Sequence, residues 1–490
     1  MNQICKSNYK IIICYIILCL LPVTVLLCIS RYCGATISEL FPFWNDEVWY
    51  WRELYNFSTN VDLKNTGYLA FGSYIPRLGN MSTHGAGPFL LYGIPVYFLS
   101  LGLNSIVVMN TCYMCVALIL MCLLIRPDVK TSLLVAGSIV MFLPYLLYAP
   151  SSMSETACYA LMIIYVTMLF KMSNEGGKLY TAGVLFCLFI LSIYRINHIV
   201  LFLPPIFLCD SKERKRTMIL FSTAGIITFF TSVYLIINWQ SPYPWGHLYS
   251  VFQLPKSEMI KAMYRHAVEQ LKTYLSSNDL WHDWVYKLFY LLACIACVVA
   301  TVYERVKRRG FFYMSMSIVL LSTLIGLASM YRVDTDTRSM MPVFFFSLLA
   351  MIMWNKSILR IIAVCAEFLI LFITFTKPAY TYDNQYWIWH YQSKWAEGGV
   401  HFPVADDELL AKIVYDRDAT SRWDNTIYIW EAGSHRFYCG LPKGIGIVSG
   451  PFPEASEEIP KWLFWTEAYE DDRYTLIYSD ETGYLYQRAR

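Results

Sequence analysis

Residues 88–101 read Pro-Phe-Leu-Leu-Tyr-Gly-Ile-Pro-Val-Tyr-Phe-Leu-Ser-Leu. The stretch is apolar throughout, yet it is shorter than the roughly 17 residues at the lower end for a membrane-crossing helix. Whether it crosses decides the sidedness of everything after it. Eleven other apolar runs flank it: 11–29, 105–125, 131–150, 156–170, 179–194, 196–208, 217–238, 285–303, 311–331, 339–354 and 358–376. Of these, 179–194 and 196–208 are short. The basic clusters are Arg126/Lys130, Lys171/Lys178, Lys212/Arg214/Lys215/Arg216, Arg305/Lys307/Arg308/Arg309 and Lys356/Arg360. If the eleven runs cross, and Lys6 and Lys10 hold the N-terminus inside, every cluster falls in the cytoplasm, as loop charge bias requires. Counting 88–101 as a crossing puts them all outside. It therefore reads as a juxtamembrane or re-entrant helix on the outer face.

Composition agrees. Hydrophobic residues make up 57% of the 490 and charged residues 15%, against about 25% charged in ordinary soluble domains. This excludes a cytosolic globular enzyme, and the 17% of aromatics excludes a disordered chain. The net charge of +3 conceals a division. Residues 377–490 hold 11 basic and 18 acidic side chains, a net of −7, which leaves +10 on the rest. Basic residues come in short clusters between apolar runs, so nothing points to nucleic acid. The run 11–29 lacks a convincing small-residue cleavage site and reads as a first transmembrane helix.

The expected fold is mainly α: a polytopic membrane helix bundle of about eleven crossings plus juxtamembrane helices over 1–376, with a first outer loop at 30–104. A small soluble α+β domain follows at 377–490, outside the membrane. Strands are expected at Thr426–Trp430 and Thr475–Tyr478. The segments Tyr474–Tyr478 and Tyr484–Tyr486 flank Ser-Asp-Glu-Thr-Gly, a hairpin signal. Most cysteines lie in apolar runs and behave as small hydrophobes. The Cys112/Cys115 and Cys294/Cys297 pairs fall mid-helix, where a core role outweighs a zinc or redox one. Cys33 and Cys439 both fall outside and are free to pair.

Candidate chemistry gathers on the outer face. The first loop opens Phe-Pro-Phe-Trp-Asn-Asp-Glu-Val-Trp-Tyr-Trp-Arg at 41–52, setting Asp46 and Glu47 among Trp44, Trp49, Tyr50 and Trp51. The aromatics alone fit an interfacial belt. Carboxylates among them at a membrane surface are costly without a role, which favours function for the acid pair. Glu155 lies in the turn at 151–155, where Ser152 and Glu155 also match a capping box. Arg195, Arg332 and Arg338 face outward. A planar guanidinium binds two phosphate oxygens at once; pairing with Asp334 or Asp336, or snorkelling to headgroups, is the plainer reading. His84, in Ser-Thr-His-Gly-Ala-Gly-Pro, precedes the 88–101 helix. His247, His266 and His282 show no metal-ligand spacing. Walker, G-x-G-x-x-G and G-x-S-x-G motifs are missing, which leaves nucleotide-driven transport and α/β-hydrolase chemistry without support.

This layout resembles the GT-C glycosyltransferases, the group of protein O-mannosyltransferases and lipid A aminoarabinose transferases. The likeness covers residues 11 to about 376 and rests mainly on arrangement. Asp46-Glu47-Val48-Trp49-Tyr50 is similar to the family's Asp-Glu-x-x-Tyr motif after the first helix. His84-Gly85-Ala86-Gly87-Pro88 to Tyr92 stands where a His-Pro-Pro-Leu segment is commoner. Glu155 falls at the family's second acid, and Arg338 to Pro342 resembles an Arg-x-x-x-Pro motif. The resemblance implies an inverting, family-39-like transferase that takes a sugar from a polyprenyl phosphate or diphosphate without a nucleotide.

On that reading Asp46 is the base, with Glu47 and Glu155 beside it as further catalytic candidates. Arg338, Arg332 and Arg195 receive the donor phosphate, and Trp49, Tyr50 and His84 hold acceptor or sugar. Asp46 and Glu155 are candidate ligands for a divalent metal such as Mg or Mn; no other cofactor is expected. The expected partners are membrane lipid, the lipid-linked donor, and a glycan, lipid or protein acceptor. The expected location is a bacterial plasma membrane, although sequons at Asn56 and Asn80 keep an endoplasmic reticulum membrane open. An O-antigen polymerase or ligase, whose large loop comes late, is an alternative. A transporter or flippase is another; it would place ionisable residues in mid-helix, as only Glu367 is here.

Overall fold

The structure is a computed structural model. It describes residues 2–32, 36–40, 42, 45–58, 69–70, 77–78, 85–208, 214–240, 254–276, 281–304, 310–330, 340–355, 358–376, 407–429, 440–449, 459–480 and 483–489. The described chain is mainly helical. Its helices are α1 (Asn2–Tyr32), α2 (Asn45–Phe57), α3 (Gly87–Phe98), α4 (Ser105–Ile125), α5 (Val129–Met141), α6 (Leu143–Tyr148), α7 (Glu155–Glu175) and α8 (Lys178–Tyr194). After a 3-10 segment, Ile196–Phe202, come α9 (Leu203–Leu208), α10 (Arg214–Asn238), α11 (Lys256–Ser276), α12 (Trp281–Glu304), α13 (Gly310–Met330), α14 (Met341–Trp354), α15 (Leu359–Thr376) and α16 (Asp407–Ala411).

Among the described residues, five helices are long and apolar enough to cross a membrane: Tyr9–Tyr32, α4, α7, α10 and Phe311–Ser329. Shorter apolar helices stand at α3, α5, α8, Ile196–Leu208, Leu291–Val302 and α14. The outward face of α1 shows why hydrocarbon suits them. Ile16, Leu20, Val23 and Leu27 are all exposed there at helical spacing, a stripe that water would penalise. Central among the helices is α7, packed against α4, α8 and α14.

Two expected crossings are interrupted. The run 131–150 breaks at Phe142, whose backbone is extended. Pro144 has no N–H for the Val140 carbonyl and its ring disfavours a continuing helix. The run 196–208 is a 3-10 turn followed by α9, which opens Leu-Pro-Pro. The stretch 88–101 forms α3, only 12 residues long. The Cys112/Cys115 and Cys294/Cys297 pairs are free thiols on α4 and α12.

The tail folds around a sheet ordered β2-β1-β4-β3-β5-β7-β6. β3 (Thr426–Ile429) lies between β4 (Gly446–Ser449) and β5 (Trp462–Trp465), parallel to both. β6 (Tyr474–Asp480) and β7 (Gly483–Arg488) form the expected hairpin. Side chains alternate across the sheet. Ile427, Ile429, Trp462, Phe464 and Leu485 join the core that runs through the helices, while Tyr428, Leu463 and Tyr486 build a second, smaller core with Trp423 and Tyr474.

Two strands of this sheet come from the segment between α2 and α3. β1 (Leu69–Ala70) pairs with β4, and β2 (Arg77–Leu78) pairs with β1. α2 is joined to the same part of the tail. Arg52 donates to the carbonyls of Leu441, Pro442 and Ile445. One turn on, Asn56 donates to the Ile445 carbonyl and accepts from the Gly444 N–H. Lys443 reaches back to Ser58 and lies over the Tyr55 ring.

Candidate functional site

α2 presents Asp46 and Glu47 in its first turn, where the positive end of the helix dipole favours acids. Both are buried; Asp46 is 8% exposed and Glu47 is closed off entirely. The i, i+4, i+7 spacing sets Asp46, Tyr50 and Glu53 on one helix face. Tyr50 and Glu53 are buried as well, as are Trp49 and Trp51.

Glu47 accepts a hydrogen bond of 2.7 Å from the Ser152 N–H, which ties α2 to the turn before α7. That turn is held from its other side. Asn110 on α4 donates to the Met153 carbonyl at 2.7 Å, and the Tyr92 hydroxyl on α3 donates to Asn110 Oδ1. The capping box expected at Ser152 and Glu155 does not form. Ser154 is the N-cap residue, and its hydroxyl lies 2.7 Å from the Tyr194 hydroxyl. With Ser152 drawn to Glu47, the Glu155 carboxylate turns to Arg195 instead, at 2.7 Å from Nη2.

Arg195 sits where α8 ends and the 3-10 turn begins. Its guanidinium also lies over the Tyr194 ring. Burial holds the Tyr50 phenol neutral, with its pKa well above the ordinary 10.0; Tyr194, Glu155 and Asp46 push the same way and Arg195 opposes them. The Glu47–Ser152 hydrogen bond and the Glu155–Arg195 pair bring the first turn of α2, the start of α7 and the end of α8 to one locus.

The glycine that opens α3 borders this locus. A Cβ on Gly87 would lie 2.2 Å from Tyr194 Cδ2 and 3.1 Å from Tyr194 Cα. Only glycine lets α3 approach Tyr194 so closely. Gly85 has φ +74, a conformation that L side chains rarely adopt.

Of the sequence-predicted site residues, Asp46, Glu47, Trp49, Tyr50, Glu155 and Arg195 come together. His84, Arg332, Arg338 and Trp44 lie outside the described residues, as do Cys33 and Cys439. Sequence reading passed over Glu53 and His198. Glu53 repeats the spacing of Asp46 and Tyr50. His198 is buried, stacks on Tyr194, and donates through Nδ1 to the Leu191 carbonyl. Its signal was the Arg-x-x-His spacing in a turn that was read as part of a crossing.

Among the described residues, no three His, Cys, Asp or Glu side chains gather as a metal-holding set. Arg195 answers the charge of Glu155, so Asp46 and Glu155 by themselves make a poor divalent site. What the group does offer is buried carboxylates beside a guanidinium, a pairing suited to a hydroxyl that loses a proton and an oxyanion that leaves. No protein-family model matches the chain, and no curated protein is significantly similar to it.

Proposed function

We propose that the chain is a GT-C-type glycosyltransferase of about eleven crossings in a bacterial plasma membrane. It moves a sugar from a polyprenyl-phosphate donor to a hydroxyl acceptor at the outer face. The observation that carries this reading is the meeting of the Asp46–Tyr50 face of α2 with the Glu155–Arg195 pair.

Asp46 takes the proton of the acceptor hydroxyl. The freed oxygen pair attacks the anomeric carbon as its bond to the phosphate oxygen breaks, with inversion. The departing phosphate carries the negative charge, which Arg195 meets with a guanidinium whose direction Glu155 fixes. Arg332 and Arg338 are assigned the same duty, and Trp49, Tyr50 and His84 that of holding sugar or acceptor. A positioned carboxylate base contributes about 10²–10⁴-fold.

A structure with polyprenyl phosphate bound tests the proposal. Phosphate beside Arg195 and Asp46 supports it. Transport is the second reading, favoured by the α5–α6 break and by Glu367 in mid-helix. A ligand in a mid-bilayer passage open to both sides would favour transport.

A further inference from the structure

Glu367 stands midway along α15. Glu367 is 3% exposed, and among the described residues neither of its buried carboxylate oxygens has a hydrogen-bond partner. Arg360, Val364 and Glu367 form the buried stripe of α15 at i, i+4, i+7 spacing. That stripe packs on α5: a Cβ on Gly137 would lie 3.2 Å from Val364 Cγ1. α15 also touches α6, α12 and α14, so the helix that carries Glu367 borders both sides of the break at Phe142.

The titratable groups on these neighbours are few. α5 has Lys130, exposed at its start, and α6 has Tyr145 and Tyr148. α12 contributes Cys294 and Cys297 among its described side chains, and α14 has none. Arg360 is two turns away on α15 itself. Among the described side chains, none of those on α5, α6, α12 or α14 forms an ion pair or hydrogen bond with the Glu367 carboxyl.

We propose that Glu367 is an intramembrane proton-binding site, a carboxyl group kept in its neutral form at the α5–α6 break. The ligand is a proton because, among the described residues, the carboxyl has no second group beside it to share a larger ligand. A metal cation needs several oxygen ligands, and no described oxygen reaches this group. An amine would need its own space and further acceptors. An isolated carboxylate in such surroundings is far costlier than the neutral acid. Separation of α15 from the broken helix would admit water and release the proton, and closure would take it back. The inference stands apart from the outer-face chemistry and holds for either reading of it.

Hydrophobic carbodiimide labelling tests the site. A protonated carboxyl adds across dicyclohexylcarbodiimide and rearranges to an N-acylurea, retaining the mass of the whole reagent. Full-length protein in bilayer nanodiscs at neutral pH should be labelled at Glu367, about tenfold more than by a water-soluble carbodiimide. The water-soluble reagent should instead modify the exposed Glu470 and Asp472. Glu367→Gln, an uncharged isostere, should fold with an unchanged melting temperature and lose the label. An unlabelled but recovered Glu367 peptide would overturn the proposal. So would labelling by the water-soluble reagent as ready as at Glu470, failure of Glu367→Gln to fold, or protection of Glu367 by added sodium ions.

Discussion

Arg195 Nη2 lies 2.7 Å from Glu155 Oε1, although forty positions of chain separate the two residues. The carboxylate is 1% exposed. The pair joins the first turn of α7 to the end of α8, beside the helix that carries Asp46. A buried pair of this kind is weak evidence of stability, because desolvation offsets much of the attraction. Its value here lies in direction, since a carboxylate fixes where the guanidinium points.

Breaking the pair on one side should be costly. Arg195→Met removes the guanidinium that meets the buried Glu155 carboxylate, and a loss of about 3–5 kcal/mol is expected in unfolding of the detergent-solubilised protein. Adding Glu155→Gln should restore most of that stability without restoring transfer. A double variant as active as the wild type would remove Arg195 from the site.

Gly87→Ala should act through Tyr194. The added methyl group meets the ring and the backbone of that residue, so α3 must shift. Overpacking of this sort costs about 1–3 kcal/mol, and transfer should fall with it. Gly326→Ala is the control, since nothing lies within 4 Å of the added carbon and the melting temperature should hold.

The union of loop and tail gives a third expectation. Arg52→Ala takes the guanidinium from the Leu441 carbonyl and leaves the Pro442 and Ile445 carbonyls with only the Ile445 N–H and Asn56, at about 1–3 kcal/mol for a buried group left unsatisfied. Limited proteolysis should then cut the tail far faster than in the wild type. Arg52→Lys should not rescue it, because a compact ammonium lacks the fork that spans several acceptors.

Acid should loosen the tail in a defined direction. Hydrogen bonds from Arg473 hold the Asp471 carboxyl below its ordinary 3.8, with burial opposing. A folded-state pKa below the unfolded one gives stability that is present above the ordinary value and lost as pH falls through the lowered one. Asp471→Asn should flatten that part of the stability–pH curve, followed by tryptophan fluorescence of the tail.

Much of this was legible in the residues. Apolar runs located most of the helices, and the stretch 88–101 does form a short helix, α3, of 12 residues. Tyr474–Tyr486 announced its hairpin through alternation and a glycine turn. The interruption at Phe142 was not legible, because an apolar run reads the same whether continuous or broken; Pro144 was its one local sign. β1 and β2 were invisible too. Two residues each are too few for any period, and their pairing depends on β4, hundreds of positions away. Asp46, Glu155 and Arg195 stand out in the sequence as charges beside apolar runs, but their meeting does not, since it depends on how α2, α7 and α8 pack. Glu53 and His198 escaped because neither stands in a recognisable motif.

The central claim is that Asp46 removes the acceptor proton. Its most direct test is sugar transfer from a polyprenyl-phosphate donor by purified wild type and Asp46→Asn, with thermal unfolding confirming that both are folded. The wild type should transfer, and the variant should lose about 10²–10⁴-fold in rate while keeping its melting temperature. Wild-type turnover by a folded Asp46→Asn protein would contradict the assignment.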